Sequence, residues 1–226
     1  MTQSFRVVYF TSHGYEPYGE QLKAECLKYK LHWTWYTEDW LREQPISDSM
    51  LAMINVHKRG FGYWCWKPYI LKHALATYSE DTVLYLDSSV VFACDPTAFV
   101  SEWPTPWAAE TAWTQSDWTK RDCFVLMGCD SKEYWEMLHP WAGCLLFDRD
   151  NRSILSEWQS WLLDPRVVSD NPNVMGLPDL QRFRDHRHDQ SILGNLFRQH
   201  NLMLYKMPRC DNEYLVHDAQ PGDKSN

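Results

Sequence analysis

The amino-terminal end of the chain carries the pattern that most restricts its fold. Residues 5–10 (FRVVYF) form a continuous β-branched and aromatic run, which is typical of a strand buried in a parallel sheet. A helical pattern over residues 17–31 follows, and residues 32–36 (HWTWY) indicate a second strand. Strand, helix and strand in this order are the pattern of a parallel crossover. The sequence therefore predicts an α/β fold with a mostly parallel central sheet flanked by helices.

Further patterns place the remaining elements along the chain. Apolar spacing from Ile154 to Leu162 predicts an amphipathic helix, and Pro and Gly over residues 164–181 predict a long loop, of a length that is usually functional or disordered. Other patterns predict helices over 96–102, 120–127, 131–138 and 189–200, and strands over 141–147 and 203–207.

The size, charge and composition of the chain limit the classes of protein to which it can belong. Its 226 residues suit one domain, which we place at 1–210, followed by a polar, mobile tail at 211–226. The formal charge of −8 disfavours binding to nucleic acid and to anionic lipid. Most of the 13 Trp, 12 Tyr and 9 Phe residues are expected in the core and loops, but this number leaves several rings to stack on sugars or bases.

The cysteines and the hydropathy of the chain bear on its compartment. The seven Cys include no C-x-x-C pair, and their odd number favours a reduced protein over a disulfide scaffold or a zinc ribbon. The amino terminus has no pattern of a secretory signal, and no apolar run reaches the length of a membrane span. We therefore expect a cytoplasmic protein, or one trimmed of a membrane anchor.

Residues 59–89 hold the densest set of candidate site residues. A loop rich in glycine and aromatic residues leads to Lys67, and the Pro68 that follows predicts the start of a helix. Residues 82–86 (TVLYL) are typical of a buried strand, which ends on Asp87. Open α/β folds bind ligands at the carboxyl ends of such strands, although an acidic residue there is as often a turn former.

Other polar residues also allow both a functional and a structural interpretation. Lys67 at a helix start is unfavourable with the helix dipole unless an anion lies there too, and Arg59 is a weaker candidate of the same kind. Thr11 and Ser12 follow the first strand, where they could bind a base or a phosphate or form a polar turn. Asp122 lies in a K-R-D sequence that is most often a charged helix start.

The ordered motifs R-G-F-G-Y-W-x-W-K-P, L-Y-L-D-S, W-A-G and H-R-H-D-Q-S resemble those of GT-A-type nucleotide-diphospho-sugar transferases. The resemblance covers most of the chain. Within this superfamily, the motifs resemble those of a branch found in polysaccharide-related microbial and viral proteins. It implies a single GT-A-like, Rossmann-like domain. It also implies a glycosyltransferase that moves a sugar from a UDP- or GDP-sugar to a hydroxyl of a glycan or other acceptor.

The resemblance also implies a metal ion. Asp87 would bind the ion or the ribose of the nucleotide, but the second acidic residue of the family's Asp-x-Asp motif is Ser89 in this chain. Mn²⁺ or Mg²⁺ would neutralise the leaving diphosphate, and one carboxylate would hold it weakly. Chemistry without a metal remains an alternative. His186 is a weak second candidate for a ligand of the ion.

The remaining site residues follow from the same resemblance. Asp189 and Gln190 would lie beside the donor sugar and the acceptor as the catalytic pair. In an inverting enzyme Asp189 would be the base, and in a retaining enzyme it would stabilise a cationic state or act as the nucleophile. Asp189 could instead only cap its helix. The implied donor-binding set is Thr11, Ser12, Arg59, Tyr63, Lys67, Asp87, Ser89, Asp122, Gly143 and His188.

A second class of function also fits the sequence. Ser89 in place of an acidic residue, together with the many Trp residues, is compatible with a non-catalytic sugar- or nucleotide-binding module on a degenerate transferase fold. His217, Gly222 and Lys224 only faintly resemble the terminal His and Lys that close over the diphosphate in some transferases.

Overall fold

A computed structural model of the protein describes residues 4–211 and 213–218. No helix within these ranges is both long enough and apolar enough to cross a membrane. The strands of the described residues are β1 (Phe5–Thr11), β2 (His32–Thr37), β3 (Thr82–Leu86), β4 (Val90–Phe92), β5 (Trp107–Thr114), β6 (Leu138–Asp148), β7 (Arg209–Cys210), β8 (Glu213–Tyr214) and β9 (Val216–Asp218).

Five of these strands form the central sheet, in the order β2-β1-β3-β6-β5. Strand β1 pairs in parallel with β2 and with β3, as the amino-terminal pattern predicts. Strand β6 is antiparallel to both of its neighbours, β3 and β5. Four of the five strands therefore run in the same direction, which confirms the mostly parallel α/β fold.

Helices cover both faces of the sheet. Buried side chains of α5, α10 and α12 share one core with Val8 and Tyr85, and α1 buries Leu22 and Cys26 against the opposite face. The helices of the described residues are α1 (Glu16–Lys28), α2 (Glu38–Arg42), α3 (Asp48–Val56), α4 (Gly60–Tyr63), α5 (Lys67–Thr77), α6 (Thr97–Val100), α7 (Gln115–Trp118), α8 (Arg121–Leu126), α9 (Lys132–Trp135), α10 (Arg152–Leu162), α11 (Pro165–Val168) and α12 (His188–Gln199).

Three predicted elements differ from the structure, and one of them is the loop predicted over 164–181, which contains the short helix α11. The strand predicted over 203–207 is reduced to a single bridge between Tyr205 and Ala109, because the chain touches the edge strand β5 at only one point. The helix predicted over 131–138 ends at Trp135, since Leu138 already begins β6.

The cysteine prediction is wrong for one pair. Cys94 and Cys210 form a disulfide, although 116 residues separate them in the sequence. The other five cysteines are free and buried, as expected for a reduced protein. An odd number of cysteines does not exclude a single crosslink, and the sequence gives no sign of which two residues the fold brings together.

Part of the predicted tail belongs to the fold. Strand β9 pairs antiparallel with β4, and Leu215 and Val216 are buried. The mobile tail predicted from residue 211 therefore does not begin there. Gly222 and Lys224, the last residues of the faint terminal motif, lie outside the described residues, and nothing is described of the His217 side chain.

Candidate active site

A cavity of about 260 Å³ opens at the carboxyl ends of β1 and β3. This edge is where an open α/β sheet binds its ligands. The cavity walls combine aromatic rings with hydroxyl and carboxylate groups, contributed by residues that include Phe10, Ser12, Phe61, Trp64, Asp87 and Ser89.

One wall of this cavity is formed by α4 and Trp64, whose backbone makes a left-handed turn rather than a right-handed α-helix. Residues 60–64 all have positive φ, with values of 58°, 51°, 86°, 52° and 60°. The Trp64 N–H donates a hydrogen bond to the Gly60 carbonyl at 3.0 Å. Left-handed geometry costs each residue other than glycine about 1–2 kcal/mol, so packing must hold this turn. The Phe61 ring stacks on Phe10 at 5.8 Å, which anchors the turn to β1.

Lys67 lies at the centre of the site. Its side chain is only 2% exposed, and its Nζ is 3.2 Å from Asp87 Oδ1 and 2.8 Å from Asp189 Oδ2. The same Nζ donates a hydrogen bond to the Ala142 carbonyl at 3.1 Å. Lys67 at the start of α5 and Asp189 at the start of α12 thus meet Asp87 at the end of β3.

The ionisation of this cluster reflects burial and mutual attraction. Burial disfavours the charge on Lys67, but attraction to Asp189 and Asp87 outweighs it and raises the pKa of Lys67. Burial raises the pKa of Asp189 to about 6, although Lys67 opposes that shift. One ammonium group therefore faces two carboxyl groups, and the one on Asp189 can exchange a proton close to neutral pH.

Tyr85 is a member of the cluster that the sequence interpretation did not identify. Its hydroxyl donates a hydrogen bond to Asp87 Oδ1 at 2.6 Å, and its ring lies 5.0 Å from Lys67 Nζ. The sequence contains a sign of this contact: Tyr85 and Asp87 are two residues apart, and residues with this spacing in a strand point to the same face of the sheet.

A bulge in β6 delivers backbone groups to the cluster. Ala108 of β5 pairs with Leu145 but the next residue pairs with Trp141, so residues 142–144 have no partner in β5. Their polar groups turn to the site instead: the Ala142 N–H donates to Gln190 Oε1 at 3.0 Å, and the Gly143 carbonyl accepts from the Asp87 N–H at 2.9 Å. Bulges of this kind often occur next to active sites.

Gly143 is required by a close approach. A Cβ atom at this position would lie 2.7 Å from the Trp141 ring. The resemblance implied that this glycine lets the backbone approach the donor sugar. In the structure the space beside its Cα is taken by Trp141.

Thr11, Ser12 and Ser89 all line the cavity, but they differ in availability. Thr11 is buried, and its Oγ1 accepts a hydrogen bond from Trp35 Nε1 at 2.8 Å. Ser12 and Ser89 are partly exposed at its rim. These three residues thus share the cavity with Asp87, whose carboxylate contacts Lys67.

Arg59 and Tyr63 face away from this cavity. Arg59 lies 3.2 Å from Asp170 and 3.0 Å from Asp185, and the Tyr63 hydroxyl also donates to Asp170. Arg59 and Asp170 line a separate polar cavity of about 300 Å³. The glycine- and aromatic-rich loop therefore lines the cavity of about 260 Å³ with its left-handed turn and with the Trp64 ring.

His186 and His188, the two histidines of the H-R-H-D-Q-S motif, form hydrogen bonds with backbone groups. His188 Nδ1 donates to the Val168 carbonyl at 2.7 Å, and burial lowers the His188 pKa to about 4. His186 Nε2 donates to the Val167 carbonyl, and its Nδ1 accepts from the Lys120 N–H. Both ring nitrogens of His186 are thus engaged, which leaves no lone pair for a metal ion in this arrangement.

Asp122 also forms its hydrogen bonds with backbone groups. It is fully buried, and its two carboxylate oxygens accept hydrogen bonds from the N–H groups of Val174 (2.5 Å) and Met175 (3.1 Å). The structure therefore places Asp122 in the support of the loop predicted over 164–181, where its backbone contacts explain its burial.

The side chains around Asp87 provide a limited set of metal ligands. Among the described residues, both side-chain contacts of Asp87 are made by Oδ1, and its side chain is 34% exposed. Ser88 and Ser89 line the same cavity, but no group of three or more His, Cys, Asp or Glu is arranged for a metal within the described ranges. Mg²⁺ and Mn²⁺ prefer oxygen ligands, so this set fits a weakly held ion that takes most ligands from substrate and water.

Comparisons with known proteins agree with the fold described above. No protein-family model matches the sequence, and a search of the curated proteins finds no match. Among solved structures, mouse xyloside xylosyltransferase 1 in its apo form aligns with a TM-score of 0.54, 11% identity, 96% of this chain and 98% of that chain.

Two further glycosyltransferases align in the same way. The bifunctional glycosyltransferase WbbM has a TM-score of 0.53 and 13% identity, over 92% of this chain and 39% of that chain. The apo form of GlyE from Streptococcus pneumoniae TIGR4 has a TM-score of 0.51 and 14% identity, over 98% of this chain and 55% of that chain. At these identities the likeness shows a glycosyltransferase-like fold and nothing finer.

Proposed function

We propose that this protein is a glycosyltransferase that moves a sugar from a UDP- or GDP-sugar to a hydroxyl of a glycan or other acceptor. The observation that carries the proposal is the buried Lys67, held between Asp87 and Asp189 at the carboxyl edge of a glycosyltransferase-like sheet. Burying one cation between two carboxyl groups is costly for stability, and perturbed groups of this kind concentrate at functional sites.

The donor nucleotide is assigned to the cavity at the ends of β1 and β3. Phe61 and Trp64 offer ring faces to a base, and Ser12 offers a hydroxyl to ribose or phosphate. Lys67 is already engaged by two carboxyl groups, so it offers little free charge to a diphosphate. Asp87 with Ser88 and Ser89 would hold Mn²⁺ or Mg²⁺, which when bound neutralises the charge on the leaving diphosphate.

Asp189 and Gln190 are assigned to the reacting end of the donor. A group whose pKa lies near the working pH is best suited to take up a proton, and the Asp189 pKa of about 6 meets that condition. Gln190 fixes the position of the β6 bulge through the Ala142 N–H. This position is compatible with Asp189 as the base, as the nucleophile or as the group that stabilises a cationic state.

Calorimetric titration with a panel of UDP- and GDP-sugars, with and without Mn²⁺, tests the proposal. We expect binding that strengthens with Mn²⁺ and weakens in Asp87→Asn. Asp95→Asn is the matched control, because Asp95 is an exposed carboxylate whose contact is the N–H of Thr97 at the start of α6. If none of these donors binds, the proposal is wrong.

Release of nucleoside diphosphate separates the transferase from a non-catalytic module. Ser89 in place of an acidic residue favours the module, since the chain alone supplies one carboxylate to an ion here. We expect donor turnover, at least to water, in the wild type and not in Asp189→Asn. Donor binding without any release of diphosphate would support the module instead.

A further inference from the structure

A second and larger cavity opens at the same edge of the sheet. Its volume is about 720 Å³, within the range of small-ligand sites. Residues 109–112 of β5 line it, and they follow Ala108, which lies level with Tyr85 near the end of β3 because both residues pair with Leu145. Because β5 runs in the same direction as β3, this cavity lies on the side of the sheet where β3 ends in Asp87.

The Trp141 ring connects the second cavity to the reaction centre. It lines the cavity and also packs over Gly143, where a Cβ atom would meet it at 2.7 Å. The Gly143 carbonyl in turn accepts the Asp87 N–H. A molecule stacked on the outer face of Trp141 would therefore lie one side chain away from the backbone that supports Asp87.

The walls of the second cavity have the chemistry of a carbohydrate site. Trp141 and Tyr214 supply aromatic faces, and Tyr214 is 49% exposed. The Arg209 guanidinium lies 4.7 Å from the centre of the Tyr214 ring and restrains it. Glu110 and Lys206 supply charged hydrogen-bonding groups to the same cavity. Aromatic faces pack on the apolar faces of sugar rings, and such polar groups bind their hydroxyls.

The outer wall depends on the disulfide. Arg209 and Tyr214 lie on the hairpin of β7 and β8, whose strands are only two residues long each. A hairpin this short is not stable alone in water. The Cys94–Cys210 disulfide ties its first strand to the segment that follows β4, while buried Leu215 and the pairing of β9 with β4 anchor the end of its second strand, so the disulfide helps to hold Tyr214 near the sheet.

We propose that this second cavity binds an oligosaccharide acceptor and that the Cys94–Cys210 disulfide holds its outer wall in place. This inference rests on the proposed function, since the bound glycan is the molecule that receives the sugar. The acceptor hydroxyl would approach the donor past the Trp141 ring. Reduction of the disulfide would loosen acceptor binding and leave the donor cavity intact.

A printed array of oligosaccharides, followed by NMR titration of the best binder, tests this proposal. We expect glycan binding by the wild type and a loss of affinity of about tenfold in Tyr214→Ala, the scale of one aromatic contact. Trp113→Ala is the control, because Trp113 is a similarly exposed ring on β5 that does not line the cavity.

The double variant Cys94→Ser with Cys210→Ser tests the role of the disulfide. We expect weaker glycan binding and unchanged affinity for the UDP- or GDP-sugar, and the donor titration on the same sample also reports that the protein is folded. Absence of glycan binding in the wild type, or unchanged glycan affinity in both the Tyr214→Ala and the double variant, overturns the inference. Donor binding decides the proposed function separately, because it is measured without glycan.

Discussion

Two buried lysines at helix starts show how differently one residue type can be used. Lys67 begins α5 and is 2% exposed, while Lys120 precedes α8 and is 3% exposed. Lys67 faces two carboxyl groups, which raise its pKa against the effect of burial. Lys120 Nζ donates to the carbonyls of Ser169 and Asn171, and burial lowers its pKa.

The difference lies in what balances the buried charge. Carbonyl dipoles satisfy the hydrogen bonds of Lys120 but compensate its charge only in part, as its lowered pKa shows. Carboxylates compensate the charge of Lys67, at the cost of holding two acidic groups close together. Lys120 therefore stabilises the loop that contains Ser169 and Asn171. Lys67 instead forms, with Asp87 and Asp189, a cluster of charges that can interact with a charged ligand.

Lys67→Met should have the largest effect. Removing the ammonium leaves Asp87 and Asp189 facing each other without a cation, so we expect turnover to fall about 100- to 1000-fold. The free energy of unfolding should drop by about 3–5 kcal/mol, as when one partner of a buried pair is removed. Donor turnover and thermal unfolding measure these effects; a folded variant with wild-type turnover would contradict the role of Lys67.

Asp189→Asn should come next. The amide keeps the shape but cannot take up a proton, so we expect turnover to fall by about 100-fold or more, with little change in donor affinity. In the wild type, activity should rise with pH through about 6, where Asp189 loses its proton. A pH–rate profile checks both points, and unchanged turnover would remove Asp189 from the catalytic set.

The same carboxyl group should also make stability depend on pH. Its pKa rises from 3.8 when unfolded to about 6 when folded. Its contribution to stability is therefore complete below about pH 4 and is lost as the pH rises through 6. Chemical denaturation from pH 4 to 7 should show this decline in the wild type and a flatter curve in Asp189→Asn. An identical slope in both proteins would place the effect on other groups.

Lys120→Met should lower the stability of the protein without changing its affinity for the donor. The two carbonyls lose a buried donor, so the free energy of unfolding should fall by about 1–3 kcal/mol. Donor affinity should stay at the wild-type value, because Lys120 lines the separate polar cavity of about 300 Å³ together with Arg59. Calorimetry and denaturant melts measure both quantities, and a drop in donor affinity would end the contrast between the two lysines.

Arg59→Ala should have the smallest effect. Its side chain is 41% exposed, and its ion pairs with Asp170 and Asp185 are open to solvent. Exposed pairs contribute about 1 kcal/mol or less, and high salt should reduce the difference further. A clear loss of donor affinity in this variant would return Arg59 to the donor-binding set that the sequence motif implied.

The sequence predicts the framework of the site better than its contacts. The β-α-β pattern and residues 82–86 lead directly to the sheet, and the ends of these elements place Lys67 and Asp87 at one edge. The bulge in β6 depends on strand register, and no local pattern reveals the partner of a given carbonyl. The same reason hides the backbone partners of Asp122, which lie some fifty residues away.

The left-handed turn of residues 60–64 also makes the shape of the cavity wall depend on distant parts of the chain. Its local backbone energy is unfavourable, so contacts with other elements must stabilise it. Phe61 stacks on Phe10 of β1, and Tyr63 stacks on His188 of α12 at 4.5 Å. A substitution that removes either stack would therefore be expected to alter the cavity wall, although β1 and α12 are far apart in the sequence.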